Sequence, residues 1–294
     1  MKTLASPTSE NTLPSAQRKS RTIEVLSRVL TIAITLLVMI PFLWMILLSF
    51  KDNQAILSNP LSLPESFNLD NYKRAFETLD MALLYKNTFF IAAVSVLLGL
   101  VITFMSSFAI SRMIFKREKF KNSLYLFLIA GLAIPPFILL FPIYRITISL
   151  GIENTYLSLI LPYIATTISF NTLLFIGFLK DFPTEIEEAA VIDGCNLFTL
   201  CTKVVFPVVK PVIMTIFIFN ILYVWNEFPF AVTLISDPSH MTIPLAISEF
   251  KGRYNIDYGG IVSASLLFII PQLIFYTIFQ KHIIEGMTAG AVKG

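Results

Sequence analysis

Six apolar runs alternate with polar segments along the chain, over about 29–50, 88–111, 123–143, 155–178, 208–225 and 259–279. Each is long enough to cross the hydrocarbon core of a bilayer as a helix, which takes about 20 residues. None shows the strict apolar–polar alternation of barrel strands. Backbone facing lipid has no water to bond with, so these runs must satisfy their own peptide groups as helices. The pattern therefore predicts an all-α membrane protein with six transmembrane helices.

The segments between the runs are unequal. Residues 52–87 and 227–258 are long, and loops of that length in a small membrane protein meet a partner or line a pathway. Within the first, the stretch from Asn68 to Phe76 reads as a short surface helix. Prolines gather at the runs. Pro135, Pro136 and Pro142 are expected to break the third, Pro207 and Pro211 to open the fifth, and Pro271 to bend the sixth. Residues 1–24 precede the first run, and over 1–20 they are polar and rich in Ser and Thr, with no apolar core of a cleavable signal. They are expected to form a disordered cytoplasmic tail ahead of one transmembrane domain over 25–294.

Composition sharpens the picture. The chain is 55% hydrophobic with only 14% charged residues, and its mean hydropathy is +0.75. That is too little charge to cover the surface of a soluble domain. A net charge of +3 without a basic block gives no basis for nucleic-acid binding. With the N-terminus inside, fifteen of the 22 Lys and Arg residues fall on the inner side and seven on the outer. The cluster between Arg112 and Lys121 is the strongest contributor. By the positive-inside rule, both termini are cytoplasmic. Cys195 and Cys201 fall in an inner loop and are read as reduced thiols.

That inner loop, between the fourth and fifth runs, has its own design. Thr184 and Glu187 have the spacing of a capping box, with Thr184 as N-cap. Glu185, Glu187 and Glu188 crowd the first turn, where the helix dipole favours negative charge. Gly194 suits the position just past the C-terminus. A helix over 185–193 follows, with Ile186, Ala189, Ala190 and Asp193 along one face, where the alanines admit close approach of another surface. A second short helix is expected from Asn196 to about Val204, re-entering the membrane at Pro207.

Glu188-Ala189-Ala190, three residues and then Gly194 resembles the cytoplasmic loop of bacterial ABC importer permeases. In that family Ile-x-Leu-Pro follows after nine intervening residues; here Val204-Val205-Phe206-Pro207 stands in its place, apolar throughout and with the proline kept. Further stretches are similar to the carbohydrate branch, the maltose-type six-span permeases. These are Asn71-Tyr72, Ile134-Pro135-Pro136, Pro142-Ile143-Tyr144, the run from Leu150 to Thr155, Trp225-Asn226-Glu227-Phe228, and Gly290 to Gly294.

The resemblance implies a permease subunit of a binding-protein-dependent importer, forming half of the pathway for a mono- or oligosaccharide. It implies a coupling helix between spans four and five that docks on a separate ATPase. Glu185, Glu187, Glu188, Ala189, Ala190, Asp193, Gly194 and Pro207 are then the coupling residues, and Glu188 pairs with a basic residue of the ATPase. The implied partners are a second permease subunit, two ATPase subunits and an extracytoplasmic solute-binding protein in a bacterial or archaeal cell membrane. ATP and Mg are expected on the ATPase subunits and no cofactor on this chain. Asn220, Tyr223, Trp225 and Asn226 are the candidates for the solute pathway, since aromatic faces pack on sugar rings and amides bond hydroxyls.

The chain has no GxxxxGK[ST] phosphate loop and no HExxH, and His240 and His282 stand far apart. Neither a catalytic site nor a metal site is predicted, so the chain is read as a non-catalytic subunit. Two alternatives remain at this point: an ABC permease for another solute such as a polyamine, and an ion-coupled secondary transporter. The scarcity of charge inside the runs weighs against the second.

Overall fold

The computed structural model describes residues 13–252 and 255–289, and side-chain surroundings within 23–252 and 255–282. Among these residues the chain is helical, with one isolated bridge between Lys251 and Ile256. In chain order the helices are α1 (Leu13–Leu48), α2 (Asn53–Ser58), α3 (Asp70–Thr78), α4 (Met81–Arg112), α5 (Glu118–Ala130), α6 (Pro136–Leu150) and α7 (Tyr156–Asp181). They continue with α8 (Thr184–Ile192), α9 (Leu197–Thr199), α10 (Phe206–Asn226), α11 (Pro229–Leu234), α12 (Ile243–Ala246) and α13 (Tyr258–Ala289). Five helices are long and apolar enough to cross a membrane: α1, α4, α7, the run from α9 through α10, and α13.

The third expected span differs. Residues 118–133 and 136–150 form two helices bent by 105° at their junction. Two adjacent prolines lack N–H donors, and each disfavours helical backbone in the residue before it. Ile134 and Pro135 are accordingly extended, with ψ 114° and 130°. Pro142, expected to break the span as well, sits inside an intact α6. Pro271 likewise lies within a continuous α13.

Of the expected disordered tail, residues 1–12 lie outside the described residues, as do Gly290 to Gly294 at the other end. Residues 13–24, however, belong to α1. Pro14 falls in its first turn, where a missing N–H costs nothing, and no further Gly or Pro precedes Pro41. The short helix expected near Asn68–Phe76 is present as α3.

The core is the packing of α4 against α7, with α10 against both and α13 against α10. Small residues permit this. Ser95, Gly99, Thr103 and Ser107 recur every fourth position on α4 and are all buried. Such a ridge lets helix backbones approach closely where lipid supplies no hydrophobic drive between helices. At Gly99 a Cβ would stand 3.5 Å from the Thr167 hydroxyl of α7. By contrast, every side chain of α1 from Ile23 to Leu43 is exposed.

A candidate coupling helix and a candidate solute pocket

Helix α8 lies between the fourth and fifth spans, outside both. Its start differs from the expected capping box. Pro183 is the N-cap, Thr184 is the first helical residue, and no side chain caps the N-terminus. Pro183 has the extended backbone of an N-cap, so the chain turns there without Thr184's hydroxyl.

Glu187 is therefore free for another partner. Its Oε1 accepts from Arg112 Nε at 2.7 Å. Arg112 is the last residue of α4, where a cation meets the negative end of the helix dipole. Its Nη2 donates to the carbonyls of Leu179 at 2.8 Å and Phe182 at 3.3 Å. The guanidinium also lies 5.9 Å from the Phe182 ring centroid. One arginine thus joins the ends of α4 and α7 to the first turn of α8. The ion-paired side chains are only 13% and 9% exposed, so neither is expendable without stranding the other.

The end of α8 is as expected. Gly194 has φ +85°, its N–H reaches Val191 O, and the Cys195 N–H reaches Ala190 O, both at 3.0 Å. This is a Schellman closure, and it needs a residue in the left-handed region. Asn196 then caps α9 by accepting from the Thr199 N–H at 2.8 Å. The expected second helix is present only briefly. From Leu200 to Val205 the chain is a π-helix that runs directly into α10, with the Phe206 N–H on Cys201 O. Pro207 lacks a donor and crowds the carbonyl four residues back. The wider π turn relieves that crowding and carries the chain into the span without a break.

Of the expected coupling residues, Glu185, Glu188, Ala189, Asp193, Gly194 and Pro207 are exposed, and Ala190 is half-buried. Glu187 alone is turned inward. Beside α8 lies an open groove of about 930 Å³ walled by Phe108, Met113, Ile114, Val191, Ile192 and Leu197. Ile114 is fully exposed and Ile192 is 85% exposed. Large apolar residues in a polar loop mark a contact surface.

The opposite end of the bundle holds a cavity of about 350 Å³ between the end of α10, α12 and α13. Trp225, Asn226, Pro244, Lys251, Ser265 and Gln272 are among its walls. Two of the four expected pathway residues, Trp225 and Asn226, meet there. The other two do not. Asn220 is buried and donates to Asn171 Oδ1 at 3.1 Å, and Tyr223 packs edge-on against Tyr163.

The loops at this end are fastened by long-range side-chain bonds. Asn87 donates to the carbonyls of Ser239 and Met241 at 3.0 and 2.9 Å and accepts from the Tyr156 hydroxyl at 2.7 Å. Thr88 Oγ1 accepts from the Ile243 N–H. Glu227, just past the fifth span, accepts from the Tyr163 hydroxyl and the Phe230 N–H, both at 2.7 Å, and from the Ala231 N–H at 3.2 Å. Burial pushes its carboxyl up, against the opposing pull of these hydrogen bonds. Sequence reasoning used Arg112 only for topology and missed the Asn87 and Lys251 positions. The adjacency of two glutamates, 187 and 188, was the one signal that one of them faces inward.

A model of the family described as "binding-protein-dependent transport system inner membrane component" matches residues 107–289. An ABC transporter permease protein, ORF2 of Caldicellulosiruptor sp. (strain Rt8B.4), is 39% identical over 88% of this chain and 94% of its own length. The multiple sugar-binding transport system permease protein MsmG of Streptococcus mutans is 34% identical, over 88% of this chain and 93% of its own length. A solved bacterial ABC transporter that imports the acidic polysaccharide alginate superposes with a TM-score of 0.74 at 20% identity, covering 90% of this chain and 97% of the other.

Proposed function

Because the chain belongs to the family of binding-protein-dependent transport system inner-membrane components, we propose that it forms half of the membrane pathway of a carbohydrate importer. The names of its relatives support the substrate class. The other half is a second permease subunit; among the described residues α1 meets α13, and its side chains from Ile23 to Leu43 remain exposed. Two ATPase subunits bind ATP and Mg and seat the α8 helices. An extracytoplasmic binding protein delivers the sugar to the outer loops.

The observation that carries this reading is the split between Glu187 and Glu188. Glu187 fastens α8 to its own bundle through Arg112. Glu188 and Ala189 face outward, available to a partner. Movement of the ATPase subunits is thereby transmitted to the ends of α4 and α7 together. The outer cavity, with an indole and amides on its walls, suits transient contact with a sugar.

Reconstitution with a second permease subunit, two ATPase subunits and the cognate binding protein tests the substrate class. ATP hydrolysis should be stimulated by a sugar and not by polyamines or amino acids. Stimulation by a polyamine alone would reject the carbohydrate. Orientation is tested separately. In a Cys195→Ser, Cys201→Ser background, Ser66→Cys should react with an impermeant thiol reagent in intact cells and Ser123→Cys should not. The reverse pattern would invert the topology.

A further inference from the structure

A second cavity, of about 180 Å³, lies between the ends of α4 and α7 and the first half of α5. Its polar walls are Ser111, Arg112, Lys121, Asn122, Tyr125 and Lys180. Three are cations, and no carboxylate lines it. Neither Lys121 nor Lys180 has a salt bridge among the described residues. The Lys180 ammonium is 5.6 Å from the Tyr125 ring centroid, a contact that leaves its donors open. Ser111 Oγ is buried and has no hydrogen-bond partner. A buried hydroxyl beside unpaired cations is a site lacking its acceptor.

The geometry points to a binding site for the phosphate of an anionic phospholipid on the same face as α8. A phosphate diester offers acceptor oxygens to the lysines and arginine and to the Ser111 hydroxyl. Two observations favour a lipid over free phosphate. The cavity opens at the ends of α4 and α7, where a bilayer around these spans would place its headgroups. Leu126 and Phe127 on α5, 60% and 76% exposed, continue from it as an apolar surface for acyl chains. Arg112 is shared with the Glu187 ion pair, so the phosphate would bear on the residue that holds α8. The assignment rests on the orientation proposed above only for which leaflet supplies the lipid, since a nanodisc exposes both faces.

The test uses the assembled transporter in nanodiscs of phosphatidylcholine with a minority of phosphatidylglycerol. Lipid retained after exchange into detergent is quantified by mass spectrometry. Wild type should retain phosphatidylglycerol. Lys121→Gln with Lys180→Gln should weaken retention by about fivefold per lysine, roughly 25-fold for the pair. Lys121→Arg with Lys180→Arg should keep it, and single Lys121→Gln serves if the double variant misassembles. Equal retention in wild type and either Gln variant overturns the site. Displacement of the lipid by millimolar inorganic phosphate would assign it to the free anion and overturn the lipid. ATP hydrolysis stimulated by binding protein in pure phosphatidylcholine is the separate readout of the importer reading.

Discussion

The two ends of this bundle are held together in different ways. At the end away from α8, loops far apart in sequence are fastened by many side-chain-to-backbone bonds. Asn87 reaches Ser239 and Met241, Asn71 reaches Ser49 and Lys51, and Asn53 reaches Ile256. The Lys51 ammonium, 3% exposed, donates to Asn59 O, Ser62 O and Ser62 Oγ, which uses all three of its protons. At the other end one ion pair, Arg112 with Glu187, ties α8 to the ends of the spans, and Ala190 is its one coupling residue packed against the core. Its remaining polar side chains and much of its apolar surface face outward. A region that receives a partner on a fixed platform can be pinned at many points. In the function proposed for it, a region that moves with an ATPase is better attached at few points, so that force enters the spans chiefly through the Arg112–Glu187 pair.

The contrast can be broken at its joint first. Arg112→Ala removes the partner of a nearly buried glutamate and takes the guanidinium donor from the Leu179 and Phe182 carbonyls, leaving Leu179 O only the 3.4 Å bond from the Phe182 N–H. Loss of one member of such a pair costs about 3–5 kcal/mol. Uptake should collapse and thermal unfolding shift down. In a double-mutant cycle, adding Glu187→Gln should cost much less than it does alone; additive losses would mean that the two residues do not act together.

Asn87→Ala probes the platform. It takes this donor from the Ser239 and Met241 carbonyls and the acceptor from the Tyr156 hydroxyl, at about 1–3 kcal/mol for each group left unpaired. The melting temperature should fall while solute moved per ATP hydrolysed stays at the wild-type ratio. A changed ratio would show that the end away from α8 takes part in coupling. Gly194→Val tests the closing turn of α8 at smaller cost. A Cβ there meets nothing within 4 Å, so the penalty is the backbone's alone, about 1–2 kcal/mol. Uptake per ATP should drop with little change in melting, and Gly194→Asn should recover part of it.

Much of this was legible from residues alone. Apolar length located five spans directly, because lipid forces every exposed peptide group into a helix. The elbow at Ile134–Pro136 was legible as a break but not as a 105° turn, since proline fixes local backbone and packing fixes direction. Gly194 was readable because a left-handed turn admits few other residues. Thr184 was misread as a cap because spacing gives a capping box no way to know that Arg112, 75 positions from Glu187, competes for that carboxylate. Asn220 and Asn226 share a helix and a residue type, yet one pairs with Asn171 in the core and the other lines a cavity. Sequence places both on α10 and says nothing of which neighbour each meets.

The central claim is the division of labour between two adjacent glutamates, Glu187 for the bundle and Glu188 for the partner. Its most direct test is Glu188→Lys in the assembled transporter, followed by three readings on one preparation: uptake after reconstitution, ATPase subunits retained after a salt wash, and the unfolding temperature of the permease. Reversing a charge at a partly buried interface costs on the order of 2–5 kcal/mol, and an exposed residue contributes little to folding. The ATPase should wash off and uptake fall while the permease melts as wild type. Full retention of the ATPase with wild-type uptake would contradict the claim, as would a large drop in melting temperature.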